Sequence, residues 1–383
     1  MTALSRLTNQ IAALTEQGLL RQRRLLDGAQ GAQVVVDGQS VLSFCSNDYL
    51  GLANHPDLAS AIVQALPTMG VGAGASHLVT GHHAAHHAFE SAFAEFVALP
   101  RALLFSTGYM ANLAVVTALV GRDGEVFADK LNHASLNDAA LLSRAKFSRY
   151  AHADMAALAR LLAASRAAQK IVVVDAVFSM DGDIADITAI LALCEQYDAW
   201  LLIDDAHGFG VLGDAGRGVL SHFRVQSPRI IYMATLGKAA GVFGAVVAAE
   251  SAVITWLLQK ARTYIYTTAT PPILSAALLA SLSIIAQADD KRAHLRALVT
   301  QLRTGLLQQG WTLWASDTAI QPVIIGSNHA ALSLSERLLT LGILVPAIRP
   351  PTVPQNTARL RISLSAAHTV ADVARLLDAM GQA

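Results

Sequence analysis

The sequence predicts an α/β protein in which a large domain is built on a mostly parallel β-sheet. Between about Tyr49 and Ala280, short continuous apolar runs alternate with segments that are long enough to form helices. Apolar runs without polar alternation are typical of parallel strands that helices cover on both faces. The segment from Asp186 to Tyr197, between two of these runs, has the length of a crossover helix. This alternation favours the α/β class.

The predicted elements can be placed along the chain. Residues 4–26 form a predicted amphipathic helix that ends in the basic cluster of Arg21, Arg23 and Arg24. Two short strands are expected at residues 33–36 and 40–44. The strands of the large sheet are expected at residues 102–105, 125–128, 171–175, 200–204, 230–234 and 245–249.

A change in the sequence pattern after Asp290 indicates a second, smaller α+β domain. Helices are expected at residues 291–308 and 330–341, strand-like segments at 312–325, 344–348 and 359–364, and a last helix at the end of the chain. We therefore expect three parts: an N-terminal helix with short strands over residues 1–48, a large domain over 49–285 and a small C-terminal domain over 286–383.

The composition excludes several classes of protein. The chain has 383 residues, of which 53% are hydrophobic and only 15% charged, so a disordered or fibrous protein is excluded. The 28 basic residues balance the 28 acidic ones, which argues against nucleic acid as the main partner. Two cysteines cannot form a disulfide framework, and they fit a reducing cytoplasm. With so little charge for its surface, the chain is expected to bury a large area in an oligomer interface.

No membrane span or signal peptide is expected. The most apolar long stretch, residues 272–288, is shorter than the ~20 residues that a spanning helix needs, so a buried helix is the better interpretation. The first 14 residues lack a basic segment followed by an apolar core.

Polar residues follow three successive predicted strands. Ser179 comes after the strand at residues 171–175, Asp204 and His207 after the next, and Thr235 and Lys238 after the third. In open α/β sheets, ligands bind beyond the carboxyl ends of the strands. The sequence therefore predicts a site that combines a hydroxyl, a carboxylate, an imidazole and an amine at one edge of the sheet.

Lys238 is the most informative of these residues. The chain has six lysines against 22 arginines, and a lysine between Gly237 and Ala239 is poorly placed for solvent. A lysine that merely extends its amine from a loop is the alternative. Together with Asp204, Lys238 indicates pyridoxal phosphate chemistry, in which a lysine binds the cofactor covalently and an aspartate faces the pyridine nitrogen. Asp204 could instead cap a helix, a role that Asp205 could fill equally well.

A phosphate site is expected where the strand at residues 102–105 meets a helix. The stretch from Ser106 to Asn112 opens that helix, and the first N–H groups and the dipole of a helix favour an anion. Gly108 would let a phosphate approach the backbone closely. An ordinary helix cap is the alternative explanation of this stretch.

Two other patterns carry less weight. Residues 70–75 match G-x-G-x-x-A, but a predicted helix at residues 58–66 precedes them where a dinucleotide fold needs a strand, so a turn is preferred. His82, His83, His86 and His87 offer pairs four residues apart, yet no cysteine and no obvious third ligand follow. We therefore expect no metal and interpret these histidines as a solvated first turn.

Motifs over nearly the whole chain resemble those of the α-oxoamine synthases, pyridoxal-phosphate enzymes of the aspartate-aminotransferase-like fold (fold type I). The matching motifs lie at residues 46–52, 129–135, 177–182, 204–208 and 235–238. The segment at 347–354, followed by 357–361, most resembles the branch that condenses L-alanine with a pimeloyl thioester in biotin biosynthesis. Glycine C-acetyltransferase and 5-aminolevulinate synthase, which share the cofactor site, remain alternatives. The presence of Lys238 argues against a non-catalytic partner subunit.

The resemblance implies a role for each matched residue. Lys238, His133, Asp204 and His207 are expected to be catalytic. The expected cofactor-binding residues are Gly108, Tyr109, His133, Ser179, Asp204, His207, Thr235 and Lys238, with Thr267 or, preferably, Thr268 from a second subunit. The expected substrate-binding residues are Arg21, Asn47, His133, Arg349, Thr352 and Arg361. The resemblance also implies a cytoplasmic homodimer that uses coenzyme A or an acyl carrier protein as acyl carrier, with neither nucleic acid nor membrane as partner.

Overall fold

A computed structural model describes residues 2–382, which divide into two compact units. The larger unit comprises Leu52–Ser179 and Ile184–Asp290. Within the described residues, the smaller unit comprises 2–51, 180–183 and 291–382. Each unit has its own β-sheet structure.

The larger unit is built on a seven-stranded sheet. In order across the sheet, the strands are Arg101–Phe105, Ala245–Ala249, Ile230–Thr235, Trp200–Asp204, Gln169–Asp175, Gly124–Asp129 and Lys146–Tyr150. Ala245–Ala249 is antiparallel to both of its neighbours, and the other neighbouring pairs are parallel. The prediction of a mostly parallel sheet is therefore confirmed.

The continuous apolar runs form strands because both faces of this sheet are covered. Every residue of Gly124–Asp129 and of Ala245–Ala249 is buried. The seventh strand, Lys146–Tyr150, was not predicted. It lies at the edge of the sheet and buries only Tyr150, so it lacks the apolar run that marks the other six.

Helices connect and cover these strands. The α-helices of the larger unit are Pro56–Met69, Ala84–Phe96, Gly108–Leu119, Ala134–Ser143, Met155–Ala164, Ile187–Gln196, Val219–Phe223, Ser251–Lys260, Arg262–Ile265 and Pro272–Ala286, with a π-helical turn at His77–Gly81 and a 3₁₀ turn at Asp214–Gly216. The predicted crossover helix is Ile187–Gln196, which Asp186 caps by accepting a hydrogen bond from the N–H of Ala189 at 3.0 Å. Gly108–Leu119 and Ala134–Ser143 pack on the sheet in one apolar core that includes Val115, Leu136 and Val173.

The apolar helix Pro272–Ala286 buries eight of its side chains, as expected for a core helix. Among the described residues, no single helix is both long and apolar enough to cross a membrane. This helix meets the length and composition criteria only when joined to the following helix, Asp289–Gln308, across a bend.

The smaller unit contains two small sheets. In one, the strands follow the order Leu26–Asp27, Gln33–Val36, Gln39–Ser43 and Ile343–Leu344. In the other, the order is Ile320–Gly326, Ala358–Ser363 and Ala347–Ile348. The α-helices are Ala3–Glu16, Asn328–Thr340, Val370–Gly381 and most of Asp289–Gln308.

The predicted N-terminal helix over residues 4–26 is too long. The helix ends at Glu16, because Gly18 adopts a left-handed conformation with φ of 64°. The N–H of Leu19 bonds to the carbonyl of Leu14, which closes the helix end in the manner of a Schellman motif. Arg21 therefore lies on an irregular segment beyond the helix.

Two predicted strand segments of the C-terminal region are shorter in the structure. The segment at residues 312–325 forms a strand only from Ile320 to Gly326. The segment at 344–348 splits into Ile343–Leu344 and Ala347–Ile348, and Pro346, which has no N–H for a ladder, lies at the break.

Candidate active site

Three adjacent strands of the larger unit deliver polar side chains to one edge of the sheet. Gln169–Asp175, Trp200–Asp204 and Ile230–Thr235 are parallel neighbours, so their carboxyl ends meet. A cavity of about 200 Å³ lies there. Its polar lining consists of Gly108, Tyr109, His133, Ser135, Asp175, Ser179, Asp204, His207, Thr235 and Lys238. This lining contains all the residues that were predicted to bind the cofactor within one chain. Thr267 and Thr268, predicted to act from a second subunit, are not part of it, and Thr268 is exposed.

Asp204 is buried at the end of its strand with only 5% of its surface exposed. One carboxylate oxygen, Oδ2, accepts a hydrogen bond from Nδ2 of Asn112 at 2.8 Å, and Oδ1 accepts one from the N–H of Ala206 at 3.1 Å. Asn112 is fully buried and also donates to Oγ of Ser135 at 2.9 Å. The sequence did not assign a role to Asn112. A polar residue inside an otherwise apolar helix is the one signal that could have found it.

Asp205 has a different task from Asp204. Its Oδ2 accepts hydrogen bonds from the N–H of Val219 at 2.7 Å and from the hydroxyl of Tyr232 at 2.7 Å. Burial raises the pKa of Asp205 to about 7. Asp205 therefore anchors the following helix and strand, while Asp204 lines the cavity.

Asp175 is a further buried carboxyl group, and the sequence pattern indicated no role for it. It accepts a hydrogen bond from the backbone N–H of His133 at 2.9 Å. Burial, with a further contribution from the charge of Asp204, raises the pKa of Asp175 well above its usual range. Two carboxyl groups thus line one small cavity, and a cation between them would stabilise their charged forms.

His133 caps the helix Ala134–Ser143. Its Nδ1 accepts a hydrogen bond from the N–H of Ser135 at 3.3 Å, so in the neutral ring the proton is carried by Nε2. Burial lowers the pKa of His133. The ring that lines the cavity is therefore a neutral imidazole near pH 7.

Lys238 lies in the turn that joins Ile230–Thr235 to Ala245–Ala249. Hydrogen bonds from Leu236 N to Gly244 O at 2.8 Å and from Gly241 N to Lys238 O at 2.8 Å close this turn. Gly241 has a φ of 69°, and a Cβ there would lie 2.5 Å from the backbone of Leu52. Nζ of Lys238 lies 2.8 Å from Nε2 of His207.

The helix Gly108–Leu119 begins beside Thr235. Thr107 caps this helix by accepting a hydrogen bond from the N–H of Met110 at 3.1 Å. A Cβ at Gly108 would lie 2.7 Å from Cγ2 of Thr235, so only glycine permits this approach. The hydroxyl of Tyr109 donates a short hydrogen bond to Asp138. The first-turn N–H groups and the Thr235 hydroxyl form a cradle for an anion.

Arg361 and Asn47, both predicted to bind substrate, are paired in the smaller unit. Nη2 of Arg361 donates to Oδ1 of Asn47 at 3.2 Å, and Nη1 donates to Oγ of Ser363 at 2.6 Å. The hydroxyl of Tyr49 also donates to Oδ1 of Asn47, at 3.1 Å. Arg361 is only 4% exposed. These contacts hold a buried guanidinium in a fixed orientation.

Two further arginines of the smaller unit lie near each other. Arg349 donates a short hydrogen bond to the carbonyl of Gly18. Burial lowers the pKa of Arg349, and the charge of Arg21 lowers it further. The N–H of Thr352 bonds to the carbonyl of Arg349 at 3.1 Å, which folds the loop that carries both residues. Two neighbouring guanidinium groups favour an anionic group between them.

The histidine-rich segment differs from its prediction. The segment at residues 70–75 follows the helix Pro56–Met69, as expected. His83 caps the helix Ala84–Phe96, but His86 is fully buried, so the interpretation as a solvated first turn is wrong for this residue. The expectation that no third ligand is available is also wrong, because the fold brings His77 and Glu90 to these histidines.

The fold and the cavity define a member of the class I and II aminotransferase family, whose model matches residues 39–380. The 8-amino-7-oxononanoate synthase of Methylobacillus flagellatus is 61% identical over 375 residues, which cover 98% of this chain and 95% of the relative. The chain therefore belongs to the 8-amino-7-oxononanoate synthases.

Solved structures agree with this assignment. A structure of 8-amino-7-oxononanoate synthase from Francisella tularensis is 32% identical, with a TM-score of 0.78 over 89% of this chain and 97% of that one. A structure of SPT with PLP as an internal aldimine is 28% identical, with a TM-score of 0.93 over 100% of this chain and 98% of that one. The predicted fold type, the resemblance to α-oxoamine synthases, the enzyme class and the cofactor are confirmed by these relationships. The glycine-using sister branches are not favoured.

Proposed function

We propose that this protein condenses L-alanine with a pimeloyl thioester, carried by acyl carrier protein or coenzyme A, in biotin biosynthesis. The products are 8-amino-7-oxononanoate, carbon dioxide and the free thiol. The observation that carries the proposal is that Lys238 and Asp204, the two residues that pyridoxal phosphate chemistry requires, line one cavity at the carboxyl ends of parallel strands.

The residues of this cavity fit pyridoxal 5′-phosphate. The buried carboxyl groups of Asp175 and Asp204 suit a cationic ring nitrogen. The close approach of Gly108 to Thr235 leaves the backbone of the helix start accessible to a phosphate. When bound, the cofactor supplies a ring that withdraws electrons from the Cα of an amino acid.

Each residue of the larger unit has a proposed task toward the cofactor. Lys238 would bind its aldehyde carbon, Asp204 its ring nitrogen and His133 one face of its ring. The remaining contacts would come from Ser179 and His207 at the phenolic oxygen, and from Gly108, Tyr109 and Thr235 at the phosphate. Thr268, or Thr267, would contribute a hydroxyl to the phosphate in the second subunit of a homodimer.

Proton transfer is assigned to Lys238. As a free amine, its Nζ would accept the Cα proton of alanine. His207 lies 2.8 Å away and can hold that amine in position through its Nε2 lone pair. Because Nδ1 of His133 accepts a backbone N–H, its neutral ring can stack on the cofactor without adding a charge to the cavity.

Substrate binding is assigned to the smaller unit. Arg361, with Asn47, would hold the alanine carboxylate, since a guanidinium matches a carboxylate with two parallel hydrogen bonds. The paired charges of Arg21 and Arg349 would attract the far carboxylate of the pimeloyl group. Thr352 would contact the methylene chain of that group.

The proposal extends to assembly and location. We propose a cytoplasmic homodimer that binds neither nucleic acid nor membrane. The balanced charge of the chain and the exposed apolar side chains of Val71, Val79 and Tyr266 support a second copy as the partner. Tyr266 lies directly before Thr267 and Thr268, the residues proposed to reach the other subunit.

A matrix of substrates tests this function. The purified protein is incubated with alanine or glycine and with pimeloyl, succinyl or acetyl thioesters, and each product is weighed by mass spectrometry. We expect the alanine–pimeloyl pair to give the fastest product formation. Faster turnover of glycine with acetyl coenzyme A would refute the assignment of substrates while leaving the fold and the cofactor unaffected.

A further inference from the structure

A second group of polar side chains lies around the start of the helix Ala84–Phe96. None of its members lines the cavity that contains Lys238. The potential ligand atoms of His82, His87 and Glu90 all lie within 4.8 Å of one another. Nε2 of His82 is 4.0 Å from Oε2 of Glu90. The three residues line a cavity of about 470 Å³ that neither the cofactor nor the substrates are proposed to occupy.

Glu90 is held in place by a backbone group. Its side chain is 10% exposed, and Oε1 accepts a hydrogen bond from the N–H of Leu104 at 2.8 Å. This bond leaves Oε2 on the side of His82. Because this carboxylate is buried, a cation beside it would compensate a charge that has little access to water.

The two histidines present suitable nitrogen atoms. Nδ1 of His82 lies 3.1 Å from Nδ1 of His77. With the His82 proton on Nδ1, that bond orients the ring and leaves the Nε2 lone pair toward Glu90, as second partners do for metal-bound imidazoles. His87 is three residues before Glu90, so both side chains lie on one face of the helix.

A competing set, His77, His82 and His86, is also within 4.8 Å, but its third member is already occupied. Nδ1 of His86 accepts a hydrogen bond from the N–H of His83 at 3.0 Å. Its Nε2 then carries the proton and donates to the carbonyl of Thr270 at 2.9 Å. Neither nitrogen of His86 retains a lone pair for a metal ion.

We propose that His82, His87 and Glu90 bind a divalent transition-metal ion, with zinc as the best match. Two imidazoles and one carboxylate are a ligand set that zinc accepts. Ligands at ~2.1 Å from a tetrahedral ion lie about 3.4 Å apart, so the three atoms need to approach by up to roughly 1.4 Å. His87 is exposed and has the freedom to move, and the fourth position opens to the cavity.

Such an ion would link His82, which follows the turn His77–Gly81, to the helix Ala84–Phe96. Because the unfolded chain does not hold the three ligands together, the ion would bind the folded state and stabilise it. The gain in stability does not depend on enzymatic turnover, so it can be measured independently of the proposed condensation.

Metal titration of the holoenzyme tests the proposal. Tag-free protein is treated with a chelator, desalted and titrated with zinc against a chromophoric competitor, and bound metal is counted by elemental mass spectrometry. We expect one zinc per chain and a rise in the melting temperature. His87→Ala and Glu90→Gln should each weaken binding by at least about 10–100-fold. His83→Asn is the matched control, because asparagine also caps a helix and His83 is outside the set.

Three results would overturn the proposal. One is binding of less than one zinc per chain at saturation. Another is a zinc affinity in His87→Ala equal to that of wild type, because the proposed site would then have lost a ligand without effect. The third is loss of binding in His86→Gln with full binding in His87→Ala, which would move the ion to the competing set.

Discussion

Replacement of Asn112 by alanine tests whether Asn112 orients Asp204 in the proposed active site. Asn112 donates to Oδ2 of Asp204 at 2.8 Å and is fully buried, so its replacement removes a protein donor from a buried carboxylate oxygen. Asp204 is the proposed partner of the cofactor ring nitrogen. Asn112→Ala leaves that carboxylate with the N–H of Ala206 as its remaining described donor. We expect a loss of turnover through misorientation of Asp204.

The expected loss of turnover follows from the energy of the hydrogen bond that is removed. A hydrogen bond to a charged group contributes about 1.5–3 kcal/mol, which corresponds to roughly a 10- to 150-fold change in rate. Asp204→Asn, which removes the charge itself, sets the upper limit of the effect. Asn112 donates to Asp204, whereas Arg361, the proposed carboxylate ligand, donates to Asn47, so we expect the KM for alanine to change little.

Steady-state rates of 8-amino-7-oxononanoate formation provide the assay, with cofactor content and melting temperature measured on the same samples. Asn137→Ala is the matched control, because Asn137 donates to the carbonyl of Asn132 and not to Asp204. A kcat for Asn112→Ala within about twofold of wild type, at equal cofactor content, would refute the reasoning.

Three other predictions concern the subunit interface, the acyl site and the buried histidines. A mixture of Lys238→Ala and Thr268→Asp chains should regain about a quarter of wild-type activity through hybrid dimers with one intact site; activity no higher than the mean of the parents would contradict a shared site. Arg21→Ala should raise the KM for the pimeloyl thioester by roughly tenfold, while Arg23→Ala should not; equal effects would refute a specific contact. Burial lowers the pKa of His86 to about 4, so the folded state binds fewer protons than the unfolded state below pH 6.5. In denaturant titrations, the free energy of unfolding of wild type should therefore fall by up to about 1.4 kcal/mol per pH unit relative to His86→Gln between pH 6.5 and 4, and parallel pH profiles would show that His86 is not the cause.

The sequence predicts the sheet well because the signal is local. A strand that is buried on both faces needs a continuous apolar run, and six of the seven strands of the larger unit have one. Lys146–Tyr150 lies at the edge with Lys146 and Arg149 exposed, so its sequence resembles a polar loop. Only pairing with Gly124–Asp129 makes it a strand.

The residues that line the cavity are predictable where they follow strands. Lys238, Asp204 and His207 lie at or just after the ends of apolar runs, and the combination of a rare lysine with an aspartate indicates their role, whereas Asp175 also ends such a run but has no comparable partner in the sequence pattern. Asn112 and Asp175 contribute through partners that are distant in sequence. Asn112 reaches Asp204 across 92 positions, and Asp175 reaches His133 across 42.

Side-chain clusters that depend on irregular backbone are the least predictable features. His77 approaches His82 because the intervening residues form a π-helical turn, a conformation that no local pattern indicates. The end of the first helix at Glu16 likewise depends on the left-handed conformation of Gly18. The residues on both sides of Gly18 continue the helical periodicity, so the sequence pattern does not indicate this end.

Exchange of the alanine Cα proton tests the central claim, that Lys238 is the base of this site. Alanine is incubated with the holoenzyme in heavy water without thioester, and its Cα–H signal is followed by proton NMR. We expect wild type to remove this signal and Lys238→Ala, loaded with cofactor, to leave it intact. Exchange at the wild-type rate in Lys238→Ala would show that Lys238 is not the base.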